Sequence, residues 1–99
     1  FDMYRGTLVP MKTKARFPER VVERVQTGVR LEKRLLKVLK ALADYLDLSL
    51  GDLLEGIVLH SFEGKAPFQK STAEKIQALR RVYGLTLTAA DSHRLKERP

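Results

Sequence analysis

The chain has 99 residues, a formal net charge of +7 and no cysteine. That length suits one small domain with tails, and the lack of cysteine excludes both a disulfide framework and a thiolate zinc site. No apolar run approaches the ~20 residues a membrane span needs and no signal-peptide pattern is visible, so a cytoplasmic protein is expected, with no membrane partner.

The distribution of charge says more than its sum. Residues 1–34 hold nine Lys/Arg against four Asp/Glu, residues 35–64 hold two against five, and residues 65–99 hold eight against three. Basic flanks around a mildly acidic centre favour a polyanionic partner, most often nucleic acid. A solvated basic surface is the plainer reading of the same charges.

Residues 1–23 read as a basic N-terminal arm. Lys12, Lys14 and Arg16 lie in it beside Gly6 and Pro10. Such an arm either embraces DNA phosphates or stays disordered. Met11 is a candidate start. Pro18 and Glu19 suit a helix start, but the stretch to Glu23 could equally run straight into the next element.

From Arg24 to Leu31 the residues alternate. Val25, Thr27, Val29 and Leu31 fall on one face of an extended strand, and Arg24, Gln26, Gly28 and Arg30 on the other. Alternation of this kind predicts a half-buried strand. A lone strand cannot pair with itself, and no second good strand is present to meet it. The same strand from a second copy is the simplest partner.

Glu32 to Leu46 has helical spacing: Leu35, Leu39, Leu42, Ala43 and Leu46 recur at three- and four-residue steps. Leu36 widens that stripe, while Lys33, Arg34, Lys37, Lys40 and Asp44 lie mostly elsewhere. Asp47-Leu48 breaks the pattern. Ser49 then caps a second helix running to about Phe62, with Asp52 three residues on. Leu50, Leu53, Leu54, Ile57 and Val58 make its apolar face, broad enough to imply more than one neighbour. Gly56 in mid-helix marks either a close helix–helix approach or a tolerated defect.

Gly64-Lys65-Ala66-Pro67 reads as a linker. Ser71 is expected to cap a third helix, with Glu74 three residues later. Ala73, Ile76, Leu79, Val82 and Tyr83 form its stripe, and Gly84 is its stop signal. Thr88, with Asp91 three residues on, predicts a last short helix ending in Arg94, Lys96 and Arg98.

Strand, helix, short turn and capped helix stand in order over residues 24–62. Here the chain resembles the ribbon-helix-helix family of DNA-binding proteins. The match is Val29-Arg30-Leu31 leading into the first helix, Leu39-Lys40-Ala41-Leu42-Ala43, then Leu46-Asp47-Leu48-Ser49, then Asp52-Leu53-Leu54. The resemblance implies a mainly α fold: an intertwined homodimer with a two-stranded antiparallel intermolecular ribbon. Residues 63–99 would follow as a basic helical C-terminal extension. It also implies a dimer core of Val25, Thr27, Val29, Leu31, Leu39, Leu42, Leu53 and Ile57.

In that family the ribbon enters the DNA major groove, and alternate strand side chains read base edges. By position the readers would be Gln26, Gly28 and Arg30. Gln can bridge adenine N6 and N7, and Arg can bridge guanine O6 and N7. Gly28 reads nothing directly; it either permits close approach of the backbone or marks a bulge. Phosphate contacts would come from Arg24, from Ser49, Leu50 and Gly51 at the second helix, and from Lys12, Lys14 and Arg16. The chain departs from the family pattern at Gly28, at Glu32 where a proline often follows the strand, and at Leu50-Gly51 where polar residues are common.

The expected function is a homodimeric DNA-binding protein, a transcriptional repressor or a plasmid-type accessory factor, with higher oligomers possible. The alternative is a protein-interaction module such as an antitoxin, with residues 65–99 binding a partner protein. RNA binding has less support because exposed aromatics for base stacking are few. No enzyme, cofactor or metal site is expected: His60 and His93 are the only histidines, and no glycine-rich phosphate loop or nucleophile motif appears.

Overall fold

The computed structural model describes residues 19–98. Three α-helices follow one another: α1 (Lys33–Tyr45), α2 (Leu50–Phe62) and α3 (Lys70–Tyr83). One 3-10 turn (Ala89–Asp91) comes after them. The expected arm residues Lys12, Lys14 and Arg16 lie outside the described residues.

The first two helices start where local chemistry places them. Glu32 caps α1, its carboxylate accepting from the Leu35 amide at 2.8 Å. Ser49 caps α2, its hydroxyl accepting from the Asp52 amide at 3.1 Å. Such bonds satisfy amides that the first turn of a helix leaves without partners.

All three helices end alike. In α1 the Leu48 amide reaches back to the Ala43 carbonyl, in α2 Lys65 reaches His60, and in α3 Leu85 reaches Arg80, at 2.8–2.9 Å. Each closure requires one residue in the left-handed region, and Asp47, Gly64 and Gly84 supply it. Gly84, at φ 67, also lies beside Arg34, whose Nη1 a Cβ would meet at an ordinary contact distance of 3.7 Å. Gly84→Ala is expected to lower stability by about 1–2 kcal/mol, read as a lower urea midpoint at unchanged slope.

The core is small. Leu42, Ala43 and Leu46 of α1 and its cap meet Leu53 of α2, all buried. Leu39, Ile57, Phe68, Ile76 and Leu79 pack around them. Helix α3 runs antiparallel to α1. The start of α1 meets the end of α3 through the bond from Arg34 Nη1 to the Gly84 carbonyl, 3.1 Å. At the opposite end Lys75 Nζ sits 4.9 Å from the centre of the Tyr45 ring. Residues 70–83 therefore share one core with α1.

Three expectations are corrected. The strand over residues 24–31 does not form: among the described residues there is no strand, only an extended, exposed segment. Val25 and Val29 are 80 % and 73 % exposed. Alternation creates an apolar face but no backbone partner, and a strand with nothing to pair with leaves its N–H and C=O groups to water. This all-helical architecture overturns the ribbon-helix-helix fold, with its intertwined dimer and intermolecular ribbon. Second, the cap of α3 lies two residues before the expected Ser71. Gln69 is the cap, without a side-chain bond, and its carbonyl accepts from Ala73 at 2.9 Å. Third, the last helix shrinks to a single turn. Thr88 and Asp91 form the capping box as read, but Ser92 at ψ 137 has already left helical conformation, and His93 follows at φ 65.

Candidate nucleic-acid interface

Antiparallel packing of α1 and α3 brings three distant stretches together. Residues 29–34, Leu36 and Lys37, residues 82–87 and residues 95–98 line one open cleft of about 1420 Å³. Six cationic side chains border it: Arg30, Lys33, Arg34, Lys37, Lys96 and Arg98.

The two carboxylates in the cleft, Glu32 and Glu97, are already engaged. Glu32 is turned onto the α1 amides. Hydrogen bonds from the Leu35 and then the Arg34 amide hold its carboxyl below the usual carboxylate range. Glu97 takes two bonds from Arg30, at 3.0 Å from Nε and 2.6 Å from Nη2. That pair is largely exposed, and exposed pairs are worth only about 0–1 kcal/mol. A phosphate oxygen can displace Glu97 from Arg30 at little cost. Arg34 donates to a neutral partner, the Gly84 carbonyl. Lys33, Lys37, Lys96 and Arg98 make no ion pair among the described residues.

The side chains read from the sequence as DNA contacts are dispersed by comparison. Gln26 and Gly28 lie on the exposed extended segment, and open space surrounds Gly28. Of the three base readers, only Arg30 reaches the cleft. Arg24 does meet the start of α2, near Ser49, Leu50 and Gly51, but through carboxylates. Its Nε and Nη2 bind Glu55 at 2.9 and 2.8 Å, and Nη2 also binds Asp52 at 3.1 Å. Asp52 thus brings a negative charge to the end of the helix that an anion would seek.

Those bonds tie the extended segment to α2, and they are pH-dependent. The hydrogen bond from Arg24, then its charge, pulls the Glu55 carboxyl below its ordinary value. The same hydrogen bond and charge from Glu55, then the charge of Asp52, raise Arg24. A depressed carboxylate contributes stability above its unfolded pKa and loses it as pH falls through the folded value. The segment around Arg24 is therefore expected to detach on acidification below the ordinary Glu range. The check is the amide shifts of residues 23–26 against pH, and Arg24→Ala should return Glu55 to an ordinary titration.

Lys33 and Lys37 were read from the sequence only as the outward side of an amphipathic helix. One signal could have singled them out. They stand at i and i+4, where like charges destabilise a helix, and the first turn of α1 carries no acidic residue to offset them. Lys96 and Arg98 had no such signal, because their neighbours in space are some sixty residues away in sequence.

No family model matches the chain, and neither a curated protein nor a solved structure does. No described helix is long and apolar enough to cross a membrane.

Proposed function

We propose that the protein binds double-stranded DNA through the cationic cleft between α1, the end of α3 and residues 95–98. The observation that carries this reading is the gathering of six cationic side chains around one cleft whose two carboxylates are both engaged. Phosphate contact supplies most of non-specific DNA affinity, and the cleft rim offers guanidinium and ammonium groups for it. A duplex suits the site better than a single strand, because among the described residues Tyr83 is the only aromatic side chain lining the cleft and base stacking is what holds single strands. Arg30 is the side chain best placed to add a base or phosphate contact once Glu97 lets go. A regulatory or accessory role on DNA in the cytoplasm, as a repressor or plasmid factor, goes with this reading.

The partner-binding alternative for residues 65–99 draws less support. That segment is held to the rest of the chain by Arg34 on the Gly84 carbonyl and by Ile76 and Leu79 packed on the core, and Leu85 is buried.

The test is fluorescence anisotropy of the full chain with a labelled duplex of mixed sequence, across a salt series. Six phosphate contacts predict a log–log salt slope of about −5. A slope near zero, or no binding at low salt, rejects the proposal.

A further inference from the structure

Helix α2 is apolar on more than one side. Leu50, Leu53, Leu54, Ile57, Val58, Leu59 and Phe62 all lie on it, and it holds no Lys or Arg. The core takes Leu53 and packs Ile57. Asp52, Glu55, Leu59 and Phe62 follow at steps of three, four and three, which puts them on one line of the helix surface. Leu59 is 61 % exposed and Phe62 81 %, with Val58 exposed beside them. A helix that is apolar nearly all round is normally buried nearly all round.

Arg24 occupies the first half of that line through its bonds to Asp52 and Glu55. The alternation of the extended segment puts Val22 on the same side as Arg24, and Val22 is exposed. The second half of the line is bare hydrocarbon.

We propose that this face, Val58, Leu59 and Phe62 together with Val22, is the docking surface for a second copy of the chain. Burying a side chain of this size removes roughly 60–120 Å² from water. The four exposed side chains therefore offer on the order of 300 Å² of apolar area per copy. A standard interface buries about 800 Å² per partner, a little over half of it apolar. The patch supplies most of that apolar share, as a weak dimer requires.

Charge selects the second copy over other occupants. The chain as a whole is strongly basic, so most of its surface repels itself. On this face Asp52 and Glu55 share the chain's own Arg24, which leaves a single net negative charge per copy, so two copies repel less here than through their basic surfaces. A membrane surface would want a cationic rim around the apolar residues, which α2 lacks. No α2 residue lines the cationic cleft, so a two-fold pairing through this face leaves both clefts outside it. The inference is independent of DNA binding.

Sedimentation equilibrium of the full chain tests it. The wild type is expected to dimerise in the micromolar range and to stay dimeric in high salt, where apolar contacts persist. Leu59→Glu with Phe62→Glu should weaken dimerisation by at least about 100-fold with unchanged far-UV circular dichroism. If that variant does not fold, Leu59→Ala with Phe62→Ala tests the same contact and should weaken it by at least about tenfold. A wild type that is monomeric throughout the micromolar range overturns the proposal, as does a folded variant that dimerises as tightly as wild type.

Discussion

Replacing Lys33, Lys37 and Lys96 together by alanine is expected to reduce affinity for duplex DNA by about 500-fold at 0.1 M salt. The magnitude follows from counterion release. Each neutralised phosphate contributes a slope of about −0.9, hence about eightfold in affinity between 1 M and 0.1 M salt. Three lost contacts multiply to about 500-fold, and the salt slope should flatten from about −5 to about −3. All three lysines are exposed and line the cleft, so stability should change by no more than about 0.5 kcal/mol. The anisotropy series gives affinity and slope together. The loss should be similar for unrelated DNA sequences, because ammonium groups on phosphates carry no base information. Arg30→Ala is the informative contrast: a larger loss for some sequences than for others would assign it to base edges.

Leu53→Ala is expected to cost about 2–5 kcal/mol, towards the upper end of that range. Leu53 is 0 % exposed and joins α2 to the core that α1 and α3 share. Its truncation leaves a cavity that rigid leucine neighbours cannot close. A chain of this length has a total stability of about 5–15 kcal/mol, so one substitution removes a large share of it. Urea unfolding followed by circular dichroism measures the loss, with Leu95→Ala as the control. Leu95 is exposed, and its removal should cost no more than about 0.5 kcal/mol. A small effect at Leu53 would mean that α2 is held by contacts other than this core.

The helices were legible in the sequence because their determinants are local. Leucine spacing, the Ser49 cap and the Gly84 stop each act within a turn or two, and α1, α2 and the end of α3 lie where those signals put them. The error at the start of α3 is also local. Ser71 carried the right chemistry for a cap, but the first turn begins at Lys70, with Gln69 as a cap that makes no side-chain bond.

Residues 24–31 show where local pattern stops deciding. Alternation fixes which side chains share a face; it does not provide the backbone partner that makes a strand. What the tertiary structure supplied instead was a side-chain anchor, Arg24 on Glu55 and Asp52, and no spacing rule links residues some thirty positions apart. The cationic cleft has the same origin. Sequence alone determined that both flanks are basic. Only the antiparallel packing of α1 on α3, fixed at its ends by Arg34 on Gly84 and Lys75 over Tyr45, decided that Lys33, Lys37, Lys96 and Arg98 border one space. Charge is a property of composition, whereas a site requires charges held at fixed separations, and in this chain long-range packing sets them.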